Sequence, residues 1–559
     1  MIAVTEAATE RELAAQAGVA IDNAGLAVLT TIRNYGVDTV FGIPGTHNLE
    51  FYRHLAPLGI HPVTTRHEQG AGYGADGWAQ QTGLPGVVIT TSGPGLLNAL
   101  SAAGTAYCES RPLIILSPGV PEGEEFADIG SLHETKDPTG AAGAIVEWSR
   151  RVGSATEAVA CVHEAFALFR TGRPRPVHIE IPLNVLEGQS DCPPELLAAI
   201  PAPAPTAGTA AEVDAVARIL SEAKRPLIIA GGGAARVGLP LTELAERLGA
   251  PVVTTLNGKA AVSEHHPLSI GSELRLTGAH ALINRADALL VLGSKLGEAE
   301  LWGGVIAPEG PVLRVDVLGS QLQKNVAVAA GVVGHCEAVV PQLTAALAGQ
   351  DRPAWVDLDA VRAALAEESA GFSPVLNGVA ARIASVLPVD TIVGGDSSQI
   401  TYFGMASRAV QERSHSFLYT PAYATLGYGL PASIGARVAS PDRPVVCVLG
   451  DGALMFAIQE FATAIEQRLD LTVVCVDNGG YAEIKQNERD RGIAPVGVDL
   501  AQPDWAALAD AFGGHGHRVV DQGDLERVIA TAIAEPGLSL VHVPLELFPD
   551  AAAPAGDPA

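Results

Sequence analysis

The chain reads as an α/β protein of three consecutive α/β units, each built on a mainly parallel sheet. Short apolar runs alternate with helix-like segments along most of its length, the pattern of strands joined by crossover helices. The alternation breaks twice, at a Pro- and Ala-rich stretch over 188–210 and at a connection with some helical character over 351–373. At 559 residues the chain also exceeds what one hydrophobic core organises. The expected units are 20–187, 211–350 and 374–548, followed by a disordered tail, 549–559 (PDAAAPAGDPA).

In the first unit, 38–41, 59–65, 86–91, 112–117 and 177–182 read as strands. Three of them run into loops that carry polar side chains: Gly42-Ile-Pro-Gly-Thr-His47, Arg66-His-Glu-Gln-Gly70 and Ser92-Gly-Pro-Gly95. The middle unit offers strands at 226–230, 251–255, 288–293 and 312–316, and the third at 391–393, 445–449 and 471–476. The first and third units share this style, without a clear repeat in sequence.

The formal charge is −27, from 62 acidic and 35 basic residues. That balance argues against a nucleic-acid groove or a patch for an anionic membrane. Six cysteines (108, 161, 192, 336, 447, 475) stand at wide spacings without a CxxC pair, so neither a zinc site nor a disulfide framework is expected. Cys447 and Cys475 fall in apolar strands and read as core. The N-terminal stretch MIAVTEAATERELAAQ is polar and acidic, with no signal-peptide core, and no apolar run is long enough to span a membrane. The cytoplasm is the expected compartment.

The most informative stretch lies in the third unit. The strand 445–449 ends on Gly450-Asp451-Gly452, a helix-like segment covers 454–467, and the strand 471–476 ends on Asp477-Asn478. Parallel strands joined by a helix present their C-terminal ends side by side, where open sheets bind ligands. Asp451 and Asn478 should therefore meet at one rim. A carboxylate, an amide oxygen and a nearby carbonyl are hard ligands, suited to Mg²⁺ carrying a diphosphate. Glycines at 450 and 452 let the backbone approach the phosphates. Gly-Asp-Gly alone is a common turn, and its combination with strand, helix, strand and Asn sets it apart.

That combination resembles the motif of thiamine diphosphate enzymes. The resemblance implies that Asp451, Asn478 and the Gly480 carbonyl hold Mg²⁺, and that Gly450, Gly452 and Ala453 contact the cofactor. The string RHEQGAGYGADGWAQQTGLPGV is similar to the pyrimidine-binding segment of the acetolactate synthase/pyruvate oxidase-like superfamily. By that likeness Glu68 hydrogen-bonds N1′ of the aminopyrimidine. Protonation there favours the 4′-imino form, which removes the C2 proton to give an ylide. Taken by itself, Glu68 reads as a carboxylate at a helix N-terminus.

The same likeness implies further residues. Leu426, in Ala424-Thr-Leu-Gly-Tyr-Gly-Leu-Pro431, matches a bulky wedge between the cofactor's two rings. Ser398 and Gln399, after the strand 391–393, are candidate cofactor contacts, while a helix cap by Asp396 or Ser397 is the competing reading of that loop. Ser92-Gly-Pro-Gly95 with Asn98 is expected to line the cofactor and substrate cavity. The middle unit carries Gly231-Gly-Gly233 but no clean GxGxxG with its following acid, so it reads as structural. Some relatives hold FAD there; FAD is the lesser alternative here.

Three local strings point towards the 5-guanidino-2-oxopentanoate decarboxylases. They are Phe41-Gly-Ile-Pro-Gly-Thr-His47, Gly293-Ser-Lys-Leu-Gly-Glu298 and Gly492-Ile-Ala-Pro-Val-Gly-Val-Asp499. His47 stands where acetolactate synthases carry a small residue. His133, on the loop Ser131-Leu-His-Glu134, is the second histidine expected near the cavity. Either has an ordinary pKa near neutrality and suits proton transfer or carboxylate orientation. Glu134 is a candidate to receive a guanidinium, with a loop salt bridge as the alternative. Glu483, just after the metal loop, is a second candidate for the substrate.

The function so implied is thiamine diphosphate- and Mg-dependent decarboxylation of a 2-oxo acid through a C2 ylide and an enamine. The subgroup resemblance names 5-guanidino-2-oxopentanoate, giving 4-guanidinobutanal and carbon dioxide. The alternatives are a carboligase of the acetolactate synthase type and a non-catalytic cofactor-binding paralogue. The expected partners are the small 2-oxo acid and further copies of the chain, in a homodimer or homotetramer with active sites between subunits.

Overall fold

The computed structural model describes residues 20–548. The N-terminal stretch and the tail 549–559 discussed above lie outside the described residues. The strands form three sheets, and every pairing within them is parallel. This is the α/β class that the alternation predicts. Two compact units result, 20–203 and 204–548.

The first unit holds six strands: β1 Thr39–Gly42, β2 His61–Thr64, β3 Gly86–Ile89, β4 Leu113–Gly119, β5 Trp148–Arg151 and β6 Pro176–Pro182. Their order is β2-β1-β3-β4-β6-β5. Strands β1, β3, β4 and β6 are buried along their whole length, as expected where helices cover both faces of a parallel sheet. The edge strand β5 is only half-buried, and its sequence, WSRR, has no apolar run to announce it. The proline-rich stretch after β6 is pinned rather than loose. Asn34 donates to the Leu197 carbonyl at 2.8 Å, and the Ile200 amide donates to the Tyr35 hydroxyl at 3.2 Å.

The second unit carries two sheets. One has five strands, β7 Pro226–Ala230, β8 Val252–Thr254, β9 Ala288–Leu292, β10 Val312–Asp316 and β11 Ala330–Val333, in the order β11-β10-β9-β7-β8. The other has six: β12 Ile392–Gly395, β13 Phe417–Leu418, β14 Val445–Gly450, β15 Leu471–Asp477, β16 His515–Arg518 and β17 Leu538–Pro544. Its order, β13-β12-β14-β15-β17-β16, repeats the topology of the first unit's sheet, strand for strand.

A buried ion pair ties the two sheets of this unit. Lys259 Nζ lies 2.8 Å from Glu264 Oε1 and donates to the Ala406 carbonyl at 3.0 Å. Glu264 Oε2 accepts the Gln411 amide at 2.8 Å. Both ends are thus hydrogen-bonded, the condition under which a buried pair is tolerated.

The helix expected over 454–467 is broken. A single turn, Asp451–Leu454, is followed by a 3₁₀ turn, Ile458–Glu460, and a short helix, Phe461–Glu466. Leu454 and Phe461 are buried, whereas Met455 and Phe456 are about half exposed (49% and 47%). The chain re-aims between them, which one straight helix would not allow.

Candidate active site

In the second unit, Gly450 at the end of β14 lies opposite Val476 of β15. The parallel register therefore brings Asp451 and Asn478 to one rim. The Asn478 amide nitrogen Nδ2 faces Gln399 Oε1 at 3.3 Å. This turns the Asn478 oxygen towards the Gly480 carbonyl (3.0 Å) and Asp451 Oδ1 (3.1 Å); turned over, the amide would donate to both. With the amide turned this way, the Asn478, Gly480 and Asp451 oxygens face one another, a donor set that suits a hard cation, and the Asn478 backbone amide also donates to Asp451 Oδ1 at 3.4 Å. Gly480 presents its carbonyl from a backbone with φ +139°, and a Cβ there would lie 2.2 Å from the Val498 carbonyl oxygen. Only glycine permits that geometry. Burial, and then the neighbouring Asp477, pushes the Asp451 carboxyl up to about 6. A cation would favour its ionised form.

A cavity of about 270 Å³ opens on this rim. It is lined by Ser397, Ser398, Gln399, Tyr402, Leu426, Gly450, Asp451, Gly452, Ala453, Asn478, Gly480 and Glu483, among others. Leu426 is only partly buried, so it is not a core leucine. Its turn is braced by Asp396, which accepts from the amides of Ser397 (2.8 Å), Gly427 (3.2 Å) and Gly429 (2.8 Å). Burial pushes the Asp396 carboxyl up to about 6 in spite of these donors.

Three further hydrogen bonds hold the carboxylates of the cavity. Gln502 donates to Asp451 Oδ2 at 2.7 Å. Glu483 Oε2 accepts from Gln399 Nε2 at 2.9 Å and from the Tyr402 hydroxyl at 3.3 Å. Tyr402 sits on a π-helical turn, Ile400–Met405, a distortion often found at functional sites. Burial, and then Glu483, raises its pKa, so the phenol keeps its proton.

In the first unit, Glu68 opens the helix Glu68–Thr82 and is 7% exposed. Asn98 Nδ2 donates to its Oε2 at 3.0 Å. Nearby Tyr52 has its pKa raised by burial and then by Glu68. The Thr90 and Thr91 hydroxyls are buried without a hydrogen-bond partner among the described residues. Thr91 lies beside Glu68: a Cβ on Gly95 would meet the Thr91 methyl at 2.8 Å and Glu68 Oε1 at 3.2 Å. A buried carboxyl next to orphaned hydroxyls suits a ligand with ring nitrogens and an amino group.

His47 and His133 come together. Ser92 Oγ lies 2.6 Å from His47 Nδ1 and 3.4 Å from His133 Nδ1, and the two rings meet edge to face at 5.3 Å. Burial, and then His133, lowers the His47 pKa. Glu134 is exposed, and both its oxygens accept amides of its own loop, Ile129 at 3.0 Å and Gly130 at 2.7 Å.

Three family models match the chain: "Thiamine pyrophosphate enzyme, N-terminal TPP binding domain" over 22–139, the central domain over 213–343 and the C-terminal TPP binding domain over 398–543. The chain belongs to the thiamine pyrophosphate enzyme family. It is 36% identical over 530 residues to a probable 2-ketoarginine decarboxylase of Pseudomonas aeruginosa, covering 93% of each chain. It is 31% identical over 550 residues to the acetolactate synthase large subunit of Parasynechococcus marenigrum, covering 92% of this chain and 86% of the relative. A probable acetolactate synthase large subunit of Methanocaldococcus jannaschii is 29% identical over 563 residues, covering 94% and 92%.

The expected thiamine diphosphate enzyme of the decarboxylase or carboligase kind is borne out by these relatives. The N-terminal match of this thiamine pyrophosphate enzyme spans His47, Glu68, Ser92 and His133; the C-terminal match runs from Ser398 past Gln502. Among the described residues no helix is long and apolar enough to cross a membrane.

Sequence reasoning missed the brace role of Asp396, the Gln502 contact and Tyr402. Gln502 stands in an irregular loop, and no local pattern marks it. Tyr402 was hidden because a π-helical turn has no apolar periodicity of its own.

Proposed function

We propose that this enzyme decarboxylates a 2-oxo acid with a basic side chain, in the manner of a 5-guanidino-2-oxopentanoate decarboxylase. What carries the reading is the end-to-end likeness to the 2-ketoarginine decarboxylase, 36% against 28–31% for the acetolactate synthases. The proposed arrangement has a pyrimidine-binding unit over 20–187, a middle unit over 211–350 and a diphosphate-binding unit over 374–548.

The residues fit thiamine diphosphate. Bound there, it would supply the nucleophilic carbon and the electron sink that loss of carbon dioxide needs. Asp451, Asn478 and the Gly480 carbonyl would hold Mg²⁺ on its diphosphate. Gly450, Gly452, Ala453, Ser398 and Gln399 would flank the diphosphate, and Leu426 would press on its middle. Glu68, oriented by Asn98, would hold a proton against a ring nitrogen.

The overall reaction converts a 2-oxo acid anion and one proton into an aldehyde and carbon dioxide. His47 and His133 would deliver that proton. The Ser92 hydroxyl between them can accept from one ring and donate to the other. Because His47 is held below its ordinary pKa, it is chiefly neutral at pH 7 and ready to accept a proton.

The enzyme is further proposed to work in the cytoplasm as a homodimer or homotetramer. The family resemblance supports sharing each cofactor between subunits. The deciding assay supplies Mg²⁺, thiamine diphosphate and a panel of 2-oxo acids that includes 5-guanidino-2-oxopentanoate. Carbon dioxide and the matching aldehyde are expected. The acetolactate synthase relatives favour one second reading, carboligation. Pyruvate converted to 2-hydroxy-2-methyl-3-oxobutanoate, with no aldehyde from any acid, would select it.

A further inference from the structure

Two carboxylates, Asp451 and Glu483, line the cavity of the second unit, and among the described residues no Lys, Arg or His does. Asp451 is engaged by Asn478 and Gln502. Glu483 is built differently. Its Oε2 accepts from two neutral donors, Gln399 Nε2 at 2.9 Å and the Tyr402 hydroxyl at 3.3 Å. Its Oε1 has no partner among the described residues. The nearest lysine on its helix, Lys485, lies 2.6 Å from Asp499 instead.

The donors are themselves held. The Gln399 amide turns its nitrogen to Glu483, because a carboxylate oxygen accepts and does not donate. Arg275, 5% exposed, donates to the Tyr402 carbonyl and, at 2.8 Å, to Ser407 Oγ. The turn that carries Tyr402 is therefore clamped by the segment just before the helix Thr277–Asn284 of the same unit. A carboxylate held through one oxygen by neutral donors, with its charge uncompensated and its other oxygen open, is a receptor for a cation that the chain does not supply.

We infer that Glu483, oriented by Gln399 and Tyr402, is the specificity residue that receives the guanidinium or ammonium end of the substrate side chain. Glu134 is the poorer receptor, because both its oxygens are taken up by its own loop. The inference rests on the decarboxylase reading above and adds to it the residue that selects among 2-oxo acids. Glu483 receives the distal group rather than the reacting carbon, so its loss should change which acid is chosen more than how fast a chosen acid reacts.

The test is a selectivity ratio measured on the holoenzyme: kcat/KM for 5-guanidino-2-oxopentanoate divided by kcat/KM for 2-oxohexanoate. Glu483→Gln should lower that ratio about 100-fold, the loss expected when a buried charge pair is broken. Tyr402→Phe should lower it by a smaller factor, about 5-fold, because one neutral donor is removed. A fall on both acids alike, leaving the ratio intact, would overturn the assignment. Calorimetry with 5-guanidinopentanoate and hexanoate, which lack the 2-oxo group, gives a reading independent of turnover. Wild type should prefer the cationic probe and Glu483→Gln should lose the preference; an unchanged preference overturns the proposal. Should the wild type decarboxylate neither acid, the functional reading fails, and the calorimetric preference still decides the subsite.

Discussion

Gln502 donates its amide proton to Asp451 Oδ2 at 2.7 Å, while Oδ1 of the same carboxylate faces Asn478. The two oxygens of Asp451 thus have separate tasks. One is tethered to the loop 501–503, and the other points at the converging oxygens of Asn478 and Gly480. Partners of this kind fix the direction of a metal ligand.

Gln502→Ala should therefore weaken Mg²⁺ binding about 10-fold, the lower end for loss of a contact behind a ligand. Asp451→Ala should lose Mg²⁺-supported cofactor binding altogether. Magnesium titration, followed by calorimetry with thiamine diphosphate, reads both. An unaltered midpoint in the Asp451 variant would sink the metal assignment.

Glu68→Gln removes the acid but keeps the shape and the contact with Asn98. Exchange of the proton at the cofactor's reactive carbon, followed by NMR in deuterated water, should slow about 100-fold or more. Cofactor affinity should move far less, because the diphosphate is anchored elsewhere. Equal exchange rates in both proteins would remove Glu68 from its proposed role.

The pair His47–His133 makes a prediction about titration. Burial lowers the His47 pKa first and the neighbouring His133 second. Removing the second ring by His133→Ala should raise the His47 pKa part of the way to its ordinary value. Imidazole NMR titration checks this, and a value that stays put or falls would mean that the rings do not couple.

His178 predicts an acid limb of stability. It is fully buried between Ser117 Oγ (2.8 Å) and Ser149 Oγ (2.7 Å), and burial lowers its pKa from 6.5 to about 3. The unfolded chain therefore binds a proton that the folded chain refuses between those two values. Stability contributed by the neutral ring is present above pH 6.5 and is lost as pH falls towards 3, by at most about 1.4 kcal/mol per pH unit. His178→Gln should be less stable at pH 7 but decline less steeply between pH 6.5 and 4. Thermal midpoints measured over that range decide it; parallel slopes would count against the assignment.

The class of fold was legible because four of the first sheet's six strands are wholly buried, and such strands are nearly unbroken apolar runs. The edge strands β5 and β16 escaped notice. WSRR and HGHR face solvent on part of their surface and carry no such signal. The shared strand order of the first and third sheets was also invisible. Topology is set by which buried faces meet, and many sequences satisfy the same faces.

By itself, then, the sequence determined the cofactor chemistry. Gly450-Asp451-Gly452, Asn478 and Glu68 are chemically constrained at fixed places on strand ends and a helix start, so local pattern suffices to find them. Only the tertiary structure decided how those residues are held. Gln502 on Asp451, Asp396 beneath the Leu426 turn, Ser92 between two histidines and Tyr402 on Glu483 are contacts between residues 31 to 81 positions apart. A hydrogen bond across such a distance depends on where packing puts two short side chains. Nothing in the order of either segment records that.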